Sequence, residues 1–110
     1  MFYSPTPGQE LSTSQPFRLE FSSDYYYKDH TKNVTVLISS GNYPYTFGIE
    51  LGTFTPMDSI RNYTAEVTPK FAYYWDKKSN FTISVLERHT TDYGSMDAFS
   101  IFSQPVTFAD

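Results

Sequence analysis

The chain has 110 residues and a mass of 12.7 kDa, which suits one domain of ordinary size. Leu, Ile, Val and Phe supply 25 of the 110 residues, a share above the roughly 20% below which chains tend to stay disordered. The formal net charge of −4 argues against a nucleic acid partner, because binding to a phosphate backbone needs a basic surface. The absence of cysteine excludes a disulfide scaffold, a thiolate metal site and a cysteine nucleophile.

The aromatic content favours β structure. The chain contains ten Phe, ten Tyr and one Trp but only four Ala. Aromatic residues are enriched in strands, whereas Ala is the strongest helix former. No window approaches eighteen apolar residues, so we expect no membrane span.

The first elements in chain order are three predicted strands that share one core between two sheets. Residues 3–11 are predicted to form an edge strand, which the prolines at positions 5 and 7 break so that it can switch between sheets. Residues 17–21 alternate apolar and charged side chains, the period of a strand with one wet face. Residues 34–38 are almost continuously apolar, which predicts a central strand covered on both sides or nearly so.

The middle of the chain is less regular. Residues 45–51 alternate after a turn, and Gly48 within them indicates a bulge or a close backbone approach. Residues 55–58 have the start signals of a short helical turn. Residues 63–67 fit a strand, although apolar residues at positions 60, 63 and 67 could extend that helix instead.

The last elements are again strands. Residues 81–85 alternate after a turn at 76–79, and residues 99–108 alternate around Pro105, which predicts an edge or a bulge there. Short strands at this spacing predict an all-β, antiparallel two-sheet sandwich of about seven to nine strands, immunoglobulin-like or fibronectin type III-like, that spans residues 1–110 as one domain. Because only 15 residues are Leu, Ile or Val, we expect the core to be closed mainly by aromatic rings rather than by aliphatic side chains.

A family resemblance rests on three stretches of the chain. They are SPTPGQELSTSQPFRLEF at 4–21, SDYYYKDHTKNVTVLIS at 23–39 and FTISVLERHTTDYGSMDAFSI at 81–101. Together they resemble fungal small secreted proteins with an immunoglobulin-like or fibronectin-like sandwich. The opening stretch is distantly similar to Ser/Thr-rich, lipid-anchored fungal cell-wall domains. The resemblance implies secretion and a role at the wall or towards a host, and it brings no enzymatic activity with it.

Three of the four asparagines lie in N-glycosylation sequons, at Asn33, Asn62 and Asn80. At the chain's content of Ser and Thr, chance would produce so many in only about 3 to 4% of chains. The sequons therefore favour a secreted glycoprotein, against the alternative that a hydroxyl-rich β protein acquires them by accident.

Residues suited to catalysis or metal binding are few. His30 and His89 each have carboxylates nearby in the sequence, but no Gly-x-Ser-x-Gly elbow is present, so we interpret both as exposed surface histidines. A metal site would require the two histidines to converge. Residues 92–97 place two carboxylates around a glycine but lack the ligand spacing of an EF-hand loop. We expect no catalytic residue, no metal and no cofactor.

Runs of aromatic residues are the strongest binding signal. Sugar rings have apolar C–H faces, so a flat ring beside polar groups suits them. If the runs are extended, Tyr25 and Tyr27 share one face and Tyr73 and Trp75 share another. These four residues are the candidate glycan-binding set. Two other interpretations stay open, namely that the rings fill the core or that they form a protein interface.

The sequence thus predicts a non-enzymatic secreted interaction protein of the fungal surface or the extracellular medium. Its expected partner is a cell-wall or host glycan, or a protein. A carbohydrate-binding or lectin-like protein is the alternative. A homodimer through an edge strand is a further prediction.

Overall fold

The computed structural model describes residues 2–22, 30–41, 48–54, 62–90 and 97–109. Within these ranges the chain forms eight strands, arranged in one sheet of three strands and one of five, and no helix. It follows that the described part contains no helix with the length and hydropathy to cross a bilayer. The prediction of an all-β fold with two sheets is confirmed.

The strands have the following bounds. They are β1 (Phe2–Ser4), β2 (Gln9–Ser12), β3 (Phe17–Ser22), β4 (His30–Ser40), β5 (Gly48–Phe54), β6 (Asn62–Val67), β7 (Asn80–Thr90) and β8 (Asp97–Ala109). The predicted strands at 17–21, 34–38, 63–67 and 81–85 all lie within them, and the helical alternative for 63–67 is wrong. The predicted helical turn at 55–58 lies outside the described residues.

The N-terminal segment contributes a strand to each sheet, as the prolines predict. The three-stranded sheet has the order β1-β3-β6, and the five-stranded sheet has the order β2-β8-β7-β4-β5. The change of sheet occurs at a cis Ser4–Pro5 bond and a turn at Gly8, whose φ of 74° is left-handed and favours glycine. The Gly8 amide donates a hydrogen bond of 2.8 Å to the Pro105 carbonyl, which fixes the segment beside β8.

One pairing corrects the expectation of a purely antiparallel fold. β2 runs parallel to β8, with Gln9 opposite Val106 and Ser12 opposite Ala109. All the other pairings of the described strands are antiparallel. The parallel pair arises because the first segment crosses to the second sheet without reversing its direction.

Proline and glycine account for two local features of the larger sheet. β8 pairs with β7 without a register shift from Asp97 to Thr107, so Pro105 causes no bulge there. β2 pairs with β8 only from Val106 onwards. Pro105 lies just before this pairing, at a position where β2 needs no backbone N–H group from it. Gly48 is a point of close approach, since a Cβ atom on it would lie 2.9 Å from the Ile38 carbonyl oxygen.

The core lies between the sheets and is more aliphatic than predicted. The ring of Phe21 in the smaller sheet lies 6.0 Å from that of Phe102 in the larger, so the inner faces meet. Rings complete the core from partly buried positions, including Phe71 and Trp75. Among the described residues, the buried apolar positions are Leu11, Phe17, Leu19, Phe21, Val34, Val36, Ile38, Leu51, Val67, Phe81, Ile83, Val85, Val106 and Phe108.

Aliphatic side chains hold ten of these 14 positions and Phe rings hold four. The prediction that rings rather than aliphatic side chains would mainly close the core is therefore wrong for the described residues. The physical reason is that strands β4 and β7 place Val and Ile side chains opposite each other, as in the pairs of Val36 with Val85 and Ile38 with Ile83. The interior also holds the buried carboxyl group of Glu87, which no sequence pattern predicted.

The central strand β4 is fully buried on one face and half-buried on the other. Val34, Val36 and Ile38 are buried, whereas Thr35 and Leu37 between them are half-buried. Cover is thus complete on the inner face and partial on the outer face, where Leu37 takes part in a surface described below. The predicted alternation over residues 45–51 can be followed only from Gly48, the first residue of β5, because residues 45–47 lie outside the described residues.

Candidate functional site

The segment before β7 is built from two consecutive turns. The Trp75 amide donates a hydrogen bond of 3.0 Å to the Ala72 carbonyl, and the Ser79 amide donates one of 3.0 Å to the Asp76 carbonyl. The Ser79 hydroxyl donates a second bond of 2.7 Å to the same carbonyl. The backbone amide of Lys78 donates to Asp76 Oδ1 at 3.0 Å. These bonds fix the backbone that carries the chain's single tryptophan.

A groove of about 690 Å³ opens beside this segment, and we call it the Trp75 groove. Trp75 forms part of its wall and is half-buried, with its ring 5.7 Å from the core ring of Phe81. The residues that line the groove are Thr13, Trp75, Asp76, Lys77, Lys78, Phe108 and Ala109. The lining thus combines aromatic residues with two lysines, an aspartate and a threonine.

The two tyrosines next to Trp75 are highly exposed. Tyr73 is 98% exposed and Tyr74 is 72% exposed. The Tyr74 ring packs edge-on against both neighbours, with centroids 5.4 Å from Tyr73 and 6.3 Å from Trp75. The planes of adjacent rings therefore stand at steep angles to each other, and the series runs from Trp75, which contacts the core, to Tyr73, which lies in solvent.

The structure gives the positions of two of the four residues in the predicted glycan-binding set. Tyr73 and Trp75 lie close together, but the segment is a pair of turns and not an extended run, so the argument that alternation gives them one face is wrong. Tyr25 and Tyr27 lie outside the described residues. Sequence reasoning missed Asp76, Lys77 and Lys78, although a Trp followed directly by three charged residues in a turn is a signal that could have identified them.

A second surface lies on the outer face of the five-stranded sheet. Phe99 is 61% exposed and Ile101 is 48% exposed, and both belong to β8. Ile101 is paired with Leu86 of β7. On the other side of β7, Leu86 is paired with Thr35 of β4, and Leu37 is the diagonal neighbour of Leu86 two residues further along β4. Side chains that alternate along neighbouring strands share a face, so the four apolar residues form one continuous group. We call it the apolar strip.

The outer face of the smaller sheet is different in character. It presents Arg18 and Glu20 from β3, with Thr64 and Glu66 opposite them on β6. The Arg18 guanidinium lies 3.4 Å from the Glu20 carboxylate, as is usual for a solvated face. The contrast between the two outer faces marks the apolar strip as an unusual surface.

The three sequons take different places. Asn33 is half-buried on the outer face of β4, paired with Arg88 of β7 beside the apolar strip. Asn80 is exposed at the start of β7, and its sequon threonine, Thr82, donates a hydrogen bond of 2.7 Å to the Gly41 carbonyl. Asn62 is the first residue of β6.

The two histidines belong to strands, His30 to β4 and His89 to β7. The backbones of His30 and His89 occupy neighbouring register positions on β4 and β7, where His30 pairs with Thr90 and His89 pairs with Thr31. Among the described residues, no group of three or more His, Cys, Asp or Glu side chains lies together in a way that could hold a metal ion. Residues 92–96, part of the segment with two carboxylates around a glycine, lie outside those residues.

Comparison with known proteins gives no family for the chain. No family model matches it, and neither the curated proteins nor the solved structures include a match.

Proposed function

We propose that this chain is a non-enzymatic secreted interaction protein of the fungal surface or the extracellular medium, associated with a cell wall or acting as an effector. The observation that carries the proposal is the apolar strip. Large exposed apolar side chains grouped on one sheet face are typical of surfaces that bind other macromolecules. The partner that suits this strip is a protein with a flat apolar patch of its own.

An immunoglobulin-like topology is part of the proposal. In the strand letters of that fold, β3, β4, β5, β6, β7 and β8 correspond to B, C, C′, E, F and G. The order G-F-C-C′ in the larger sheet and the division of the first strand between two sheets support this assignment. A fibronectin type III-like arrangement is less well supported, because the N-terminal strand there has no second half beside the last strand.

The strip gives the first prediction. Replacing Phe99 and Ile101 together with serine should weaken binding of a protein partner by tenfold or more, because central apolar contacts dominate interface energies. The melting temperature should change little, because both side chains are already largely exposed. Cross-linking to fungal wall and secretome extracts, followed by quantitative mass spectrometry of wild type and variant, measures the loss.

Tyr74→Ser is the matched control for this experiment. It removes a ring of similar exposure from the region before β7, whereas Phe99 lies opposite the far end of that strand. A partner of the strip is retained by Tyr74→Ser and lost by the double variant. Equal capture by the double variant and wild type would contradict the role of the strip.

Two further expectations belong to the same proposal. Secretion would make the sequons at Asn33, Asn62 and Asn80 available for N-glycosylation, and a glycan on Asn33 would then border the strip. A homodimer through an edge strand would use β8, since β2 covers only its last residues and its stretch 98–109 carries no charged side chain to oppose pairing.

A carbohydrate-binding or lectin-like function is the second candidate, and the Trp75 groove is the specific observation that favours it. An indole wall can stack on the apolar face of a sugar ring, and neighbouring polar groups can bind its hydroxyls. Tyr73 and Tyr74 extend the aromatic surface beyond the groove.

Titration with neutral oligomers of β-glucan, chitin and mannan tests this candidate. We expect at least one of them to change the fluorescence of Trp75, which reports on the groove because it is the chain's single tryptophan. Tyr73→Ala should weaken that binding a few-fold, whereas Phe99→Ser should leave it unchanged. No fluorescence change and no heat with any oligomer, neutral or acidic, would rule the candidate out.

A further inference from the structure

We propose that the Trp75 groove binds a saccharide that carries a carboxylate, such as an oligomer of a hexuronic acid. The inference rests on the carbohydrate-binding candidate and names the ligand class of that site. It follows from how charge, hydrogen-bonding groups and an aromatic wall are combined in one groove.

The charge of the groove is opposite to that of the chain. The residues that line the groove include two lysines, Lys77 and Lys78, and one acid, Asp76, whereas the whole chain has a formal net charge of −4. A cleft with low-dielectric walls focuses the field of the charges within it. A ligand carboxylate would therefore gain from the lysines, while the rest of the surface would repel it.

Asp76 has a separate role in the proposed site. One of its oxygens accepts the Lys78 backbone amide at 3.0 Å, which fixes the direction of the side chain. A carboxylate has about four acceptor positions, so Asp76 also has capacity to accept hydroxyl groups from a sugar. The ligand carboxylate would then bind on the lysine side and the sugar hydroxyls on the Asp76 side.

The groove is prepared before a ligand arrives. Its turn backbone is held by the hydrogen bonds to the Ala72 and Asp76 carbonyls, and the Trp75 ring rests on Phe81. The Lys77 ammonium lies 5.4 Å from the centroid of the Phe71 ring, a cation–π distance that restrains the side chain. Restraint of this kind lowers the entropy lost on binding.

The test compares trigalacturonate with its fully methyl-esterified form, which has the same rings without the charge. We expect wild type to bind the acid at least about tenfold more tightly at low salt, measured by calorimetry and Trp75 fluorescence. The preference should shrink at about 0.5 M NaCl, because salt screens partly exposed charges. K77Q/K78Q should reduce it to within about twofold, while K70Q, at an exposed lysine outside the groove lining, should retain it.

Each other result has a distinct meaning. Equal binding of the acid and the ester, or a preference that survives in K77Q/K78Q, would overturn the inference and leave the carbohydrate-binding candidate standing. Binding of neither ligand, together with no binding of the neutral oligomers, would overturn both. Thermal unfolding of K77Q/K78Q at the wild-type temperature would show that a loss of preference does not come from misfolding.

Discussion

Replacing Phe81 with alanine should lower the free energy of unfolding by about 3–5 kcal/mol, the usual cost of removing a buried ring from a core. Phe81 is fully buried and is the centre of an aromatic group. Its ring lies 5.5 Å from Phe71, 5.4 Å from Phe108 and 5.7 Å from Trp75. The cavity would therefore remove partners from three rings together. Urea unfolding followed by far-ultraviolet circular dichroism measures the change.

Phe99→Ala is the matched control for Phe81→Ala. It deletes the same atoms from a ring that is 61% exposed, so we expect a loss of less than about 1 kcal/mol. Similar losses for the two variants would contradict the position of Phe81 at the centre of the core. Phe81→Leu should recover most of the stability, because it refills much of the cavity.

Replacing Gly48 with alanine should lower the free energy of unfolding by about 1–3 kcal/mol, because the added methyl group meets atoms that have little room to move. Its Cβ atom would lie 2.9 Å from both the Ile38 carbonyl oxygen and the Ser39 hydroxyl oxygen. Ile38 belongs to the strand paired with β5, so the two strands would have to separate locally. The shift in the urea midpoint measures the effect.

Gly52→Ala provides the comparison within the same strand. Its Cβ atom would meet only the outer end of the Phe54 ring, at 3.3 Å, and that ring is partly exposed and able to turn. We expect a change near zero, or a gain of up to about 0.5 kcal/mol from the reduced entropy of the unfolded chain. A larger loss for Gly52→Ala than for Gly48→Ala would contradict the proposed close contact.

The strands could be predicted from the sequence where one face is buried. Period-two alternation identified the segments around Phe17 and Phe81, because such patterns follow directly from side chains that point to alternate faces. A nearly continuous apolar run identified the segment around Val34. The switch of the first strand between sheets also followed from its prolines. The parallel pairing of β2 with β8 did not, since strand direction depends on the path of the chain between sheets.

The candidate site could be predicted only in part. Trp75 was predicted from its chemistry to belong to the glycan-binding set, and it lines the groove. Phe108 and Thr13 are far from it in sequence, and only the packing of β2 and β8 beside the turn brings them together. The apolar strip was likewise hidden, because Leu37 stands between Val36 and Ile38 and Leu86 follows Val85, so both look like core residues in the sequence.

One measurement tests most directly the claim that this domain acts through separate binding surfaces. Backbone and indole ¹H–¹⁵N spectra of the full chain are recorded during titration with trigalacturonate. We expect shifts at Trp75, Lys77, Lys78 and Ala109, with the amides of Phe99 and Ile101 unchanged. Shifts centred on Phe99 and Ile101, or no shifts at millimolar ligand, would contradict it.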